Sequence, residues 1–379
     1  MLQLVFGRSG YGKTEYIRNR IADKIDRGET QVLLITPEQY SFISECSLLE
    51  QLGEARAHAV RCLSFSRLCD ECDRLYGADG RKPLTKGGKA ILMKTAIDQV
   101  RPDLELFEKK GSSAAFVQSM TGIYDEMKSC NLSGAAVYAA ADDLDTDILR
   151  CKMRDFSRIM TAYEALLGDR FADPANRLTR LYDQIKDQNY FAGQTVFLDG
   201  FNGFVAQEYK ILERIIAEAK AVYIALDSDS FGTGDGYDLF AYVNETAGIL
   251  QRIADKAGVP TNTLQLGENC RTDYADLRRV EQYIFADQAP ETEIPAEHIR
   301  LYAASTVTDA CNDLALQIKG LLRCGYRAGE IAVTMRDREK YAPVLASAFE
   351  KYGVPYLAVI SNRSLLFSVS LQSKSRVME

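Results

Sequence analysis

At 379 residues, with 46% hydrophobic and 26% charged residues, the chain has the makeup of a globular protein too long for one compact core. Its 46 basic and 53 acidic residues leave a formal charge of −7, which argues against a nucleic-acid partner except at a local basic face. No apolar run nears the roughly 18 residues of a membrane span and no signal-peptide pattern opens the chain, so a cytoplasmic protein without membrane association is expected.

The chain opens on an apolar run, Leu4-Val5-Phe6, that stops at Gly7. Gly7, Gly12, Lys13 and Thr14 fit G-x-x-x-x-G-K-[ST], with Gly10 as an extra glycine, and a helical pattern follows at Tyr16, Ile17, Ile21 and Ile25. Strand, glycine loop and helix are the context in which backbone N–H groups wrap a polyphosphate, a lysine reaches its β/γ oxygens and a threonine ligates Mg²⁺. Gly7, Arg8, Ser9, Gly10, Tyr11, Gly12, Lys13 and Thr14 are therefore the predicted ATP site.

Gln31–Thr36 reads as a second strand, followed by a helix opened by Pro37 whose apolar face is Phe42, Ile43, Cys46, Leu49 and Leu52. His58–Leu63 is a third strand, and Ser64 is placed to cap the next helix. From Pro83 to about Lys186 only helices are predicted, among them Phe116–Met127 and Phe156–Leu167. Strands resume at Thr195–Asp199 and Ala221–Asp227, flanking a helix over Gln207–Ala219, and Asp238–Ala257 is helical. Beyond a polar, Pro-containing linker, strands are predicted at Ile299–Ala303, Ile331–Met335 and Pro355–Ile360, with helices at Asp309–Leu322 and around Tyr341–Phe349.

This pattern predicts an α/β protein: residues 1–82 and 190–286 form a first phosphate-loop lobe with a parallel sheet, and 83–189 a helical insertion. Residues 287–297 are the linker, 298–360 begin a second α/β lobe, and 361–379 are an irregular tail. A chain ending inside a lobe would expose a strand edge, which predicts self-association without a partner.

Asp199, at a strand end, is the expected Mg²⁺ carboxylate together with Thr14. A motor would carry a glutamate next to it to orient the attacking water; Gly200 stands there instead, which predicts binding with slow turnover or none. Glu208 is read as a helix cap rather than a substitute base. Gln39, Ser41, Phe65 and Arg67 follow the second and third strands, and Phe201 and Phe204 follow the fourth. In an open α/β sheet such residues face a crevice at the carboxyl ends of the strands, where rings, an arginine and polar side chains suit single-stranded DNA. The residues leave open that the phenylalanines are core and Gln39 and Arg67 merely solvated. Arg336 ends a strand of the second lobe, as a phosphate sensor or a surface arginine. Cys69 and Cys72 form one C-x-x-C among nine cysteines; without a second pair they read as reduced thiols sharing a helix face.

In this order GRSGYGKT, LLITPEQYSF, RCLSFSRL, VFLDGFNGFVAQEY and EIAVTMRDREKYAPVLASAFEKYGVPY resemble the B subunit of the AddAB-type ATP-dependent helicase–nuclease. The resemblance runs through Tyr356, with SFSRL and DGFxGF its most specific parts. It implies superfamily-1 helicase architecture, RecA-like lobes with a helical insertion, and ATP and Mg²⁺ as cofactors. It also implies a heterodimer with an A subunit that is the active motor, acting on broken-end double-stranded DNA in recombination. The helicase-like half of the B subunit would hold the 3′-ended single strand and recognise the recombination hotspot. Gln39, Ser41, Phe65 and Arg67 sit in the strand-contacting motifs; Asp70 departs from an aromatic that members can carry there. In the family a nuclease domain with a 4Fe-4S cluster follows at the C-terminus; neither is expected in this chain, which reads as a fragment, a truncated reading frame or a divergent short relative, and no cysteine here is assigned to a cluster. The other readings kept open are a phosphate-loop small-molecule kinase and a scaffold that nucleotide only stabilises.

Overall fold

The computed structural model describes residues 1–77, 80–110, 113–229, 231, 239–286, 291, 293–360 and 365–368. Contacts divide the chain into two units, Met1–Asp273 with Ile284–Asp287, and Tyr274–Tyr283 with Gln288–Glu379.

The first unit runs β1 (Leu2–Gly7), α1 (Lys13–Asp26), β2 (Val32–Ile35), α2 (Glu38–Leu52), α3 (Glu54–Ala57), β3 (Val60–Leu63) and α4 (Phe65–Tyr76). Helices follow: after β4 (Lys82–Pro83) come α5 (Lys86–Val100), α6 (Ala114–Ser129), α7 (Gly134–Ala141) and α8 (Asp147–Leu167), then β5 (Phe171–Ala172) and α9 (Arg177–Ile185). The strand pattern returns with β6 (Thr195–Leu198), α10 (Ala206–Glu218), β7 (Ala221–Asp227), α11 (Ala241–Lys256) and β8 (Thr261–Gln265).

Six strands make one parallel sheet in the order β3-β2-β6-β7-β1-β8. The apolar runs of β1, β2, β6 and β7 are near-continuous because both faces are covered. Leu4, Phe6, Leu33, Ile35, Leu198 and Ile224 pack with α4, α10 and α11, whereas Leu34, Phe197, Tyr223 and Ala225 pack with Ile17 and Ile21 of α1 and Leu48 and Leu52 of α2. The register aligns Ile35 with Leu198, Leu198 with Ile224, and Gly7 with Asp227. The carboxyl ends of β1, β2, β6 and β7 therefore meet at one rim.

Edge strand β8 was not predicted: Thr-Asn-Thr-Leu-Gln is polar, and it is held by backbone pairing to β1, with Leu266 N–H donating to Phe6 O at 2.8 Å. The face expected of α2 is also corrected. The helix buries Ser41, Leu48 and Leu52, and leaves Phe42 at 73%, Ile43 at 61% and Leu49 at 46% exposure. Polar contacts turn it: Arg67 Nη1 donates to Ser41 Oγ at 2.9 Å, and the Cys62 thiol donates to Ser41 O at 3.5 Å.

The helices from α5 to α8 gather round their own apolar cluster, which includes Met93, Ile97, Met120, Phe156 and Tyr163. Thr85 caps α5, its Oγ1 accepting from Gly88 N–H at 3.1 Å. The helices-only expectation misses the two-residue parallel ladder β4–β5, too short to signal itself. Asp173, just after that ladder, is 1% exposed and fully engaged: it accepts from Lys89 Nζ at 2.8 Å, Tyr163 OH at 2.6 Å and Ala175 N–H at 2.9 Å.

The second unit contains α12 (Ala275–Tyr283), α13 (Val307–Arg323), β9 (Ala332–Met335), α14 (Arg338–Tyr352), β10 (Leu357–Ile360) and β11 (Leu365–Ser368). Two expectations are corrected here. Ile299–Ala303 is not a strand: no ladder partner lies beside it among the described residues, and Leu301 is 98% exposed. Leu365–Ser368, inside the stretch expected to be irregular, pairs antiparallel with both β10 and β9. This short apolar run takes the place beside β9, so the small sheet is not the parallel one expected of a second lobe. Helix α12, expected with the first lobe, groups with this unit: His298 N–H donates to Asp276 Oδ2 at 2.7 Å, and the Tyr274 and His298 rings stack at 3.7 Å.

Candidate functional site

The loop from Gly7 to Lys13 turns at the rim where four strands end. Gly10 has φ +90° and Gly12 φ +79°, left-handed values that side chains resist. Gly10 is also crowded: a Cβ there would lie 3.1 Å from Arg271 Cβ, and Cys270 N–H donates to Gly10 O at 2.8 Å. Gly12 opens α1, so Lys13 and Thr14 stand at the helix's positive end.

Lys13 Nζ donates to Gly7 O at 2.8 Å and Arg8 O at 2.9 Å, and pairs with Asp227 at the end of β7. Arg8 pairs with Asp229 at 2.8 Å. Asp199 is only 9% exposed at the end of β6. Burial raises its carboxyl above the ordinary aspartate value, against hydrogen bonds from the Thr14 hydroxyl and the Gly200 amide and the charge of Lys13. Lys13, Thr14, Asp199, Asp227 and Arg271 line one cleft of about 670 Å³, closed on a further side by Tyr40. Among its lining groups are Lys13 and Arg271, the Thr14 hydroxyl and the Asp199 and Asp227 carboxylates: cations matched to phosphate and hard oxygens matched to Mg²⁺.

The remaining predicted residues divide. Gln39 is exposed and Phe201 half-buried. Arg67 keeps 42% of its side chain exposed while reaching Glu45 at 3.2 Å, and Ser41 is buried beneath it. Phe65 and Phe204 are each 6% exposed, with ring centroids 6.5 Å apart and Phe201 5.8 and 5.0 Å from them. Phe65, in the first turn of α4, and Phe204, in the turn before α10, both pack into the core under the sheet, so neither offers a base an open face. The open rings near Gln39 are Tyr40 and Phe42, at 48% and 73% exposure. Asp70 pairs with Arg177. Glu208 accepts from Val205 N–H at 2.9 Å, a cap as expected.

Cys69 and Cys72 are buried, and burial pushes each thiol up to about 12, so both are protonated at neutral pH. Among the described residues no three His, Cys, Asp or Glu side chains cluster as a metal site. No helix among them is long and apolar enough to cross a membrane. In the second unit Arg336 lines a separate cleft of about 910 Å³ with Arg338, Lys340 and Tyr341.

Two cleft residues escaped the sequence reading. In the sequence Asp227 is only a strand end; the pairing of β7 beside β1 brings it to Lys13. Arg271 sits in an irregular stretch after the unpredicted β8 and carries no periodic signal.

A family model described as "ADDB, N-terminal" matches residues 4–281, well over half the chain. The chain belongs to this family. Its similar relatives include the B subunit of the ATP-dependent helicase/deoxyribonuclease of Clostridioides difficile (strain 630), 29% identical over 366 residues, covering 93% of this chain and 32% of the relative. The corresponding protein of Clostridium tetani (strain Massachusetts / E88) is 28% identical over 94% of this chain and 32% of its own length. That of Thermoanaerobacter sp. (strain X514) is 25% identical over 98% and 33%. The chain thus spans about a third of the length of the family relatives it matches.

Proposed function

We propose that the first unit is a RecA-like phosphate-loop lobe of the superfamily-1 helicase type, with α5–α9 as its helical insertion, and that it binds MgATP. The observation that carries this reading is the convergence of Lys13, Thr14 and Asp199 on a loop bent at two left-handed glycines. The N–H groups opening α1, with Lys13 and Arg271, hold the phosphates. Thr14 and Asp199 would hold Mg²⁺, which would neutralise charge on the phosphates. MgATP held there would supply binding energy that ties the loop to β6 through Thr14 and Asp199.

Turnover is weak, because the residue after Asp199 is Gly200 at φ +82°, where a glutamate would be strained as well as absent. The lobe holds the 3′-ended single strand across the same rim. Gln39, Arg67 and Phe201 are its accessible contacts, with Tyr40 and Phe42 as open stacking surfaces and Ser41, Phe65 and Phe204 as the support beneath. Arg336 is a phosphate sensor of a second lobe. This chain serves, in the cytoplasm, a partner A subunit that carries the motor, in resecting broken DNA ends and recognising the recombination hotspot. The nuclease and its 4Fe-4S cluster belong to other parts of that assembly.

The test is ATP turnover with and without single-stranded DNA. The proposal expects DNA affinity that falls steeply with salt, and turnover far below 1 per second. DNA-stimulated turnover of roughly 10 per second or more, a typical enzyme rate, would sink the weak-motor reading.

A further inference from the structure

Lys13 has three ammonium protons, and the structure commits all three: two to the Gly7 and Arg8 carbonyls and one to Asp227. The two carbonyls belong to the loop itself and turn with it. Asp227 is different. It comes from the neighbouring strand, carries a full charge, and is 41% exposed at the side chain while Lys13 is 10% exposed. It stands on the cleft wall, in the same lining as Thr14 and Asp199.

The segment that carries Asp227 holds the loop at further points. Gly7 and Ser228 form an isolated β-bridge, Asp229 pairs with Arg8 at 2.8 Å, and Phe231 stacks on Phe6 at 5.6 Å. Two carboxylates from one three-residue stretch thus neutralise both cations of the glycine loop. Lys13 is ion-paired with Asp227 rather than with Asp199, whose carboxylate accepts hydrogen bonds from the Thr14 hydroxyl and the Gly200 amide.

We propose that Asp227 is a built-in competitor for nucleotide phosphate at Lys13. This rests on the nucleotide reading above and deepens it by naming the group that limits affinity. To serve a phosphate, Lys13 must give up one of its three acceptors, and Asp227 is the one that does not belong to the loop. Lys13 exchanges the carboxylate for phosphate oxygen, and the released Asp227 then faces the polyphosphate as a like charge. Both effects weaken binding. The exchange also frees the segment 227–229 from one of its ties to the loop, so nucleotide occupancy is reported to β7.

The test compares MgATP and MgADP binding to the full chain for the wild type and Asp227→Asn, by titration calorimetry. Asparagine keeps the shape and removes the charge. The proposal predicts binding tighter by about tenfold, the scale expected for a half-buried pair lying between exposed and fully buried ones. Asp227→Ser, checked with the first variant for an unchanged melting curve, is predicted to tighten binding as well, whereas Asp227→Glu keeps the competitor and is not. If the wild type binds nucleotide and both neutral variants bind it equally or more weakly, Asp227 is no competitor and this inference falls while the nucleotide site stands. If neither wild type nor neutral variants bind, the nucleotide reading falls and takes this inference with it.

Discussion

Removing the charge of Glu29 tests whether the sheet that carries the cleft is locked from its opposite end. Glu29 lies between α1 and β2, and its carboxylate accepts from Thr195 Oγ1 at 2.7 Å, Lys220 Nζ at 2.8 Å and Lys24 Nζ at 3.3 Å. One side chain thereby ties the amino-terminal ends of β2, β6 and β7. Burial alone would raise its carboxyl, but Lys220, Thr195 and Lys24 outweigh burial and hold it at about 2 against an ordinary 4.5. A difference of that size corresponds to about 3 kcal/mol, and screening at a side chain that keeps 17% exposure reduces it to about 2 kcal/mol. Because the folded value lies below the unfolded one, this stability is complete above about pH 5 and is lost as pH falls toward 2. Urea unfolding of wild type and Glu29→Gln should differ by about 2 kcal/mol at pH 7, the gap narrowing by roughly a third to a half at pH 3.5. Equal stability at pH 7, or a gap that does not narrow in acid, would refute the reasoning.

Asp173→Asn removes the charge partner of buried Lys89 and a hydrogen-bond acceptor of Tyr163. Because Lys89 keeps Asp125, the loss should be about 3 kcal/mol, at the lower end for a broken buried pair, read as a drop in melting temperature. Alkylation at pH 8 followed by mass spectrometry should label exposed Cys130, Cys270 and Cys324 well before Cys69 and Cys72, whose thiols burial holds at about 12. Saturating MgATP should slow labelling of Cys270 selectively, because that residue lines the cleft while Cys130 and Cys324 do not.

The five parallel strands with apolar cores could be read directly from the chain, since each is a short apolar run bounded by turn residues. The glycine loop was equally legible: its residue types leave few other uses. What stayed hidden depended on partners far away in sequence. Strand β8 has no apolar run and exists through its pairing with β1. The rotation of α2 follows from Arg67 reaching back to Ser41, so its apolar residues looked like core and are surface. Phe65 and Phe204 looked equally suited to core or crevice, and packing on Phe201 decided for core. Asp227 required the strand order, which places β7 between β6 and β1, before it could be set beside Lys13. In the second unit, a three-stranded sheet closed by an antiparallel strand could not be anticipated from alternating strands and helices.

MgATP binding at Lys13, Thr14 and Asp199, as proposed above, is open to a direct measurement. Titration of MgATP into wild type and Lys13→Ala, with circular dichroism to confirm that both are folded, tests it most directly. One bound nucleotide per wild-type chain is expected, with at least a roughly tenfold loss in the variant, the scale for removing a charged hydrogen-bond donor. Equal affinity in the two proteins, or no binding to the wild type, would contradict it.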